Sequence, residues 1–120
     1  MAKGNPALLP AEIDKNGTVI LIGGVREIKT KYTDKQKVID CQIKTALTEK
    51  EYKVLNLTDV ADRLKDNTRT WFINGTSFNY LIDTLGDDDE IWNGKEVQIE
   101  ALMQVVQGER KEILYAKGSV

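Results

Sequence analysis

The chain has 120 residues, of which 41% are hydrophobic, and its 17 lysines and arginines nearly balance 19 aspartates and glutamates, for a net charge of -2. This size suits one domain with a single modest core, and the balance of charge excludes a global basic field that would draw the protein to nucleic acid or to an anionic membrane. There is no histidine and only one cysteine, Cys41, which excludes histidine-based catalytic pairs and an intramolecular disulfide. Carboxylates alone can still support a hydrolase. We nevertheless expect a binding protein and not an enzyme, with no catalytic residue, no metal site and no cofactor.

The N-terminal stretch lacks the periodicity of a packed element. Residues 1–15 mix Gly4, Pro6 and Pro10 with no sustained apolar repeat, which predicts a flexible N-terminal segment, followed by one domain over residues 16–118. The first ten residues carry one lysine and no apolar run long enough for a signal peptide or a membrane span. We therefore expect a cytoplasmic protein with no membrane partner.

Two strands are predicted next. The β-branched run Thr18–Ile22 is interrupted by Gly23-Gly24 and then continued by Val25, Ile28 and Tyr32, which predicts one long strand bent at a glycine bulge. A turn at Thr33-Asp34 leads to apolar residues that alternate with polar ones over 39–43, the period of a half-buried strand. Cys41 lies among these apolar positions and is expected to be a small buried hydrophobe.

Residues 46–68 have an ambiguous secondary-structure pattern, whereas residues 69–86 predict a strand and a helix. Within residues 46–68, the stretch 52–57 fits a strand, while Thr58 is suited to cap a short helix that reaches Leu64; we favour a strand edge followed by one or two helical turns. The aromatic and β-branched run 69–73 predicts a third strand. A helix then begins near Thr76 or Ser77 and ends at Gly86, with apolar residues at i, i+3, i+4 and i+7.

The last third predicts two more strands. The acidic run 87–90 lacks the ligand spacing of a calcium loop and is expected to solvate the loop after the helix, with Trp92 packed beneath it. Asn93-Gly94 turns the chain into an alternating strand over 97–105, and a turn at 107–109 precedes a closing strand over 113–116. The protein is therefore expected to be mainly β, a five-stranded OB-fold-like barrel with one helix between strands 3 and 4, a fold whose usual ligands are oligonucleotides and oligosaccharides.

Two basic loops are the candidate phosphate contacts. Five positive charges surround Tyr32 within 12 residues, and the loop between the last two strands carries two more. In an OB-fold these loops flank the binding face, so they are expected to border one groove. The alternative is that lysines keep a hairpin tip soluble and protect strand edges. The candidate phosphate-binding residues are Lys29, Lys31, Lys35, Lys37, Arg110 and Lys111.

Adjacent aromatic residues on the third strand are the candidate stacking residues. Because neighbouring side chains on a strand face opposite ways, parity with Ile73 places Trp71 inward and Phe72 outward. An exposed aromatic at this position would stack nucleic-acid bases, as would Tyr32 in the basic loop. The alternative for either residue of the pair is ordinary packing against the 46–68 segment.

A resemblance supports the fold prediction. The stretches Thr70-Trp71, Asn74–Ser77, Asn79–Leu81, Leu85–Asp88 and Trp92–Lys95, with Val97, resemble a pattern in small OB-fold proteins of phages and archaeal viruses or proviruses, and 113–116 matches their closing strand. The likeness covers residues 17–117 and is concentrated in 70–97. Members of that group are taken to bind single-stranded DNA or to assist replication, so the resemblance implies such a role here. The acidic balance and the eight aromatic residues depart from a typical single-strand binder.

Two functions follow from this reading. The first is sequence-tolerant binding of single-stranded nucleic acid in replication or in viral or proviral DNA metabolism, with replication proteins as expected partners and with affinity that falls as salt rises. The alternative is a protein-interaction scaffold that uses the same barrel without binding nucleic acid and that exposes an apolar patch instead.

Overall fold

The computed structural model describes residues 5–31 and 33–119. Its five strands are β1 (Thr18–Ile28), β2 (Gln36–Ile43), β3 (Thr68–Phe72), β4 (Glu96–Val106) and β5 (Glu109–Ser119). Its α-helices are α1 (Pro10–Asn16), α2 (Glu49–Val54), α3 (Val60–Lys65) and α4 (Gly75–Leu85), and a 3-10 helix spans Asp89–Trp92. None of the described helices has the length and apolar character needed to cross a membrane.

The strands form one sheet in the order β3-β2-β1-β4-β5, in which every neighbouring pair is antiparallel. The expectation of a mainly β protein with five strands is thus confirmed. The outer strands β3 and β5 are not paired with each other in the described structure, so the sheet is not closed into a barrel. It also carries three α-helices besides the predicted one between β3 and β4.

The predicted glycine bulge in β1 is present. The register between β1 and β2 shifts between Ile22 and Val25, and Gly23 has a φ of +72°. The 3-10 helix holds this bulge, because the Val25 N–H donates to Asp89 Oδ2 at 2.7 Å and the Gly23 N–H donates to Asn93 Oδ1 at 2.9 Å. The sequence suggested that the acidic loop is only solvated, but one of its carboxylates fixes the bend of the central strand β1.

Residues 46–67 contain two helices and no strand. Thr48 caps α2, with its side chain accepting from the Glu51 N–H at 3.2 Å and the Glu51 carboxylate accepting from the Thr48 N–H at 3.1 Å. The predicted strand edge over 52–57 is wrong, because this capping box starts a helix that runs to Val54. The predicted helical turns up to Leu64 are confirmed as α3, which begins after Asp59.

The described part of the N-terminal segment, residues 5–15, packs against the sheet, where the sequence predicted a flexible segment without a packed element. Ala7 forms a parallel bridge with Thr70 on the free edge of β3, with the Leu8 N–H donating to Thr70 O and the Thr70 N–H donating to Pro6 O, both at 2.9 Å. In α1, Glu12 is 0% exposed and Ile13 is buried in the core. Residues 1–4 lie outside the described residues.

A buried ionic cluster explains why this segment packs. Glu12 accepts from Arg63 Nη1 at 2.8 Å, from Arg69 Nε at 3.1 Å and from the Tyr52 hydroxyl at 2.6 Å. Arg63 also donates to Asp59 at 2.9 Å and to the Ala7 carbonyl at 2.8 Å. Two guanidiniums thus face two carboxylates, and the cluster joins the N-terminal segment to α2, α3 and β3.

Helix α4 follows β3 in the chain and packs against β5. Its cap is Asn74, not Thr76 or Ser77 as the sequence suggested: Asn74 Oδ1 accepts from the Ser77 N–H at 2.8 Å. Asn74 Nδ2 also donates to Leu114 O, and the Ala116 N–H donates to Ser77 Oγ, both at 3.0 Å. These side chains take the place of a strand partner along this part of β5. The predicted end at Gly86 is confirmed by its φ of +98°.

Candidate nucleic-acid interface

One face of β1, β2 and β3 points away from the core, and its residues are set by the strand registers. We call it the outer face. Because residues paired across antiparallel strands lie side by side on the same face, it consists of three cross-strand rows. These rows are Arg26-Val38-Phe72, Ile22-Asp40-Thr70 and Ile20-Gln42-Thr68.

Phe72 is the exposed aromatic of the outer face. Its side chain is 47% exposed, whereas Trp71 is 1% exposed and belongs to the core cluster. The parity prediction for the pair is confirmed, and Trp71 is not accessible to stack a base. Arg26 and Val38 lie in the same row as Phe72, and Ile22 of the next row is 38% exposed.

The charges of the outer face are partly paired with each other. Arg26 Nη2 donates to Asp40 Oδ1 at 2.9 Å, and the Thr70 hydroxyl donates to the same oxygen at 3.2 Å. Half of the Arg26 side chain remains exposed. An anion arriving at this row therefore meets a guanidinium that is already oriented by a carboxylate.

The β1–β2 connection places exposed lysines at one end of the outer face. Lys29, Lys31 and Lys35 are all exposed. The turn between them is ordered by the Thr30 N–H, which donates to Thr33 O at 2.8 Å. Tyr32, the second candidate stacking residue, lies outside the described residues.

Lys37 does not join the outer face. It is adjacent to Val38 on β2, so its side chain leaves from the opposite face, where its Nζ lies 4.9 Å from the centre of the Phe78 ring and 3.6 Å from Glu27. A lysine held between an aromatic face and a carboxylate serves packing between β2 and α4. The sequence grouped Lys37 with the other lysines of the loop as a phosphate contact only because it is close to them along the chain.

Arg110 and Lys111 lie at the other end of the sheet. Since β4 pairs with the first residues of β1 and runs antiparallel to it, the β4–β5 turn points away from the β1–β2 turn. The sequence predicted that the two basic loops border one groove. In the structure they lie at opposite ends of the sheet. Arg110 and Lys111 instead border a cleft of about 560 Å³ whose apolar lining comes from α1, the α2–α3 connection and β4: Leu9, Pro10, Ala11, Leu55, Leu57 and Met103.

Cys41 is confirmed as a buried side chain in the core beneath the outer face. Burial raises the pKa of its thiol from 9.0 to about 12, and the neighbouring Asp40 carboxylate acts in the same direction. The thiol therefore stays protonated at neutral pH and has no nucleophilic or metal-binding form there.

The sequence did not predict two arrangements of side chains that the structure shows. The cross-strand row places Arg26 and Phe72 on the same face, on either side of the buried Val38, and the register that a bulged first strand imposes is the signal that could have found it. The buried cluster around Glu12 was also missed. Arg69 shares the inward parity of Trp71 and Ile73, which by itself indicates a buried arginine that needs a carboxylate partner.

Comparison of the chain with known protein families, with curated proteins and with solved structures finds no match. The resemblance to small viral OB-fold proteins therefore stays a prediction.

Proposed function

We propose that this protein binds single-stranded nucleic acid on the outer face of β1, β2 and β3. The observation that carries the proposal is Phe72, an aromatic side chain that is 47% exposed on a strand and flanked in its row by Val38 and Arg26. A base stacked on an aromatic ring contributes about 1–3 kcal/mol and needs no particular sequence. A partly buried row with an exposed ring and a guanidinium offers both a stacking surface and a phosphate contact.

The strand order supports the same proposal. A five-stranded antiparallel sheet with a long bent first strand and a helix between β3 and β4 has the element order of the OB-fold, whose strands 2 and 3 and the loop between strands 1 and 2 bind oligonucleotides. The outer face includes β2 and β3, and Lys29, Lys31 and Lys35 lie in the loop between β1 and β2. Arg110 and Lys111 are left out, because they lie at the opposite end of the sheet.

The test is a fluorescence anisotropy titration of labelled oligo-dT, about 20 nucleotides long so that it spans at least one OB-fold site. Binding is expected to weaken with salt, with log K falling by about 0.7 per phosphate contact and per unit of log salt. Phe72→Leu is expected to weaken binding about fivefold to a hundredfold, because it removes the ring and keeps an apolar side chain. Phe72→Trp is expected to bind at least as well.

Ile91→Ala is the matched control. Ile91 is 54% exposed, comparable with Phe72, but lies on the 3-10 helix away from the outer face. Changing Lys29 and Lys35 to alanine is expected to lower the salt slope without abolishing stacking. If oligo-dT does not bind at low salt, or if Phe72→Leu and Ile91→Ala behave alike, the proposal is wrong.

A second candidate, a protein-interaction scaffold, has its own supporting observation. Met103 is 60% exposed and Val105 70% exposed on β4, and Leu55 is 40% exposed across the cleft. Exposed apolar side chains grouped in this way mark surfaces that bind other proteins. The two candidates use opposite ends of the molecule, so absence of salt-sensitive oligo-dT binding would favour the scaffold.

A further inference from the structure

Within the described residues, the far half of the β4–β5 hairpin has no other strand beside it. β4 pairs with β1 only at 96–98, and from 99 to 106 its strand partner is β5 alone. A two-stranded ribbon is marginally stable in water without a third strand or a covering element. The exposed side chains of Leu102, Met103 and Val105 lie on this ribbon.

The outward hydrogen-bonding groups of β5 can be assigned from its turn. Val106 and Glu109 flank a two-residue turn in which Gln107 and Gly108 both have positive φ, so 106 and 109 bond to each other. Even-numbered residues of β5 therefore point their N–H and C=O groups away from β4. The same parity is seen further along, where Leu114 O and the Ala116 N–H face α4.

Helix α4 covers only part of this edge. Asn74 and Ser77 occupy the outward groups of Leu114 and Ala116, and β5 is the last strand of the sheet. The outward groups of Arg110 and Glu112 come before the covered part, and the side chains of residues 109–112 are all exposed. Such an open edge is a template for another strand.

We propose that this edge pairs with the same edge of a second copy of the chain. An antiparallel arrangement about a two-fold axis at Lys111 places Arg110 of each copy opposite Glu112 of the other, in two hydrogen-bonded pairs. In this register the segment 110–112, Arg-Lys-Glu, lies antiparallel to itself, so both of its end positions join opposite charges, while Glu109 lies opposite Ile113 of the other copy. The two ribbons then become one four-stranded sheet.

Lys111 is the one like-charged contact in this arrangement, since it faces its own counterpart across the axis. Glu109 lies 3.9 Å from Lys111 on the same strand and offsets part of that repulsion. In this register, removing the charge of Lys111 strengthens the association, whereas reversing the charge of Arg110 or of Glu112 weakens it.

The experiment is sedimentation velocity of the full chain over a range of micromolar concentrations, without nucleic acid. Arg110→Glu and Glu112→Arg each turn two attractive cross-strand pairs into repulsive ones, and each is expected to raise the dimer dissociation constant about tenfold or more. An equimolar mixture of these two variants restores both pairs and is expected to form a heterodimer, which native mass spectrometry resolves. The double variant R110E/E112R is expected to form a homodimer again, and Lys111→Gln is expected to dimerise more tightly than the unaltered chain.

Circular dichroism melts of each variant show whether it folds. The mixed sample controls for a general effect of the substitutions, because each of its two components alone is expected to dimerise weakly. A chain that stays monomeric at all concentrations overturns the proposal. So does a dimer whose dissociation constant is unchanged by Arg110→Glu, or two variants that do not associate when mixed. None of these outcomes depends on whether the outer face binds oligo-dT.

Discussion

Single residues decide how the N-terminal segment is held. Glu12 is fully buried, and its carboxylate is the shared acceptor for Arg63, Arg69 and Tyr52. A buried ion pair contributes little compared with an apolar replacement of the whole cluster, but removing one partner leaves an uncompensated buried charge. The cluster is therefore most sensitive to the loss of its central carboxylate.

Glu12→Gln is expected to destabilise the protein by about 3–5 kcal/mol, because two guanidiniums then face a neutral amide in a site without water access. The measurement is the midpoint of urea unfolding followed by tryptophan fluorescence. Glu49→Gln is the matched control: its exposed pair with Lys53, at 3.1 Å on α2, is expected to matter by no more than about 0.5 kcal/mol. Equal effects of the two substitutions would contradict a buried role for Glu12.

This cluster was only partly predictable from the sequence. The parity of the third strand puts Arg69 on the same face as Trp71, so a buried arginine follows from local pattern. Its partner Glu12 lies 57 residues away in a segment whose glycine and prolines suggest a loose chain. No local rule links the two, because the contact depends on how the N-terminal segment returns along β3.

At the scale of elements, the bend of β1 depends on a glycine next to a carboxylate. A side chain on Gly24 would overlap the Asp89 carboxylate, the group that accepts from the Val25 N–H. If Gly24 carries a Cβ atom, either the Asp89 carboxylate or the 3-10 helix must shift, and a shift of the carboxylate breaks its hydrogen bond with the Val25 N–H. This ties the acidic loop to the strand on which the outer face is built.

Gly24→Ala is expected to cost about 1–3 kcal/mol, from the overlap together with loss of a charge-assisted hydrogen bond to a partly buried amide. Thermal unfolding by circular dichroism gives the change. The control is Gly75→Ala: this glycine is in the first turn of α4 with open space around it, so alanine is expected to be neutral or slightly stabilising. A Gly24→Ala protein as stable as the control would show that Asp89 does not fix the bulge.

Element types were predictable wherever local chemistry was unambiguous. The bulged first strand, the third strand, α4 with its Gly86 end and the Asn93-Gly94 turn into β4 all follow from short-range signals. The strand predicted at 52–57 is wrong because Thr48-x-x-Glu51 forms a capping box, and such a box specifies the start of a helix more directly than a short apolar run specifies a strand.

At the scale of the whole molecule, the order of the strands is easier to predict from the sequence than the closure of the sheet into a barrel. The succession of strands and α4 was predictable, but whether β3 and β5 meet depends on long-range geometry. Here Asn74 and Ser77 occupy the edge of β5, and Ala7 occupies the edge of β3. The placement of the two basic turns at opposite ends likewise depends on which part of β1 pairs with β4.

The stability of the whole molecule should vary with pH on the alkaline side in a way that Cys41 controls. Burial raises the pKa of the Cys41 thiol from 9.0 to about 12, and burial also raises the pKa of Tyr52, helped by its hydrogen bond to Glu12. Above pH 9 the unfolded chain loses the thiol proton while the folded chain keeps it. The folded state then binds more protons, so the free energy of unfolding falls as pH rises.

We expect this loss to begin near pH 9 and to continue to about pH 12, with a Cys41 contribution on the order of 3 kcal/mol at the upper end. Urea unfolding at several pH values measures it. Cys41→Val keeps an apolar side chain of similar size and removes the titrating thiol, so its stability should decline less steeply over the same range, while Tyr52 still contributes in both proteins. In parallel, a thiol reagent at pH 8 should label the unaltered protein only once urea unfolds it; rapid labelling of the folded protein, or identical pH profiles for the two chains, would contradict a buried, protonated Cys41.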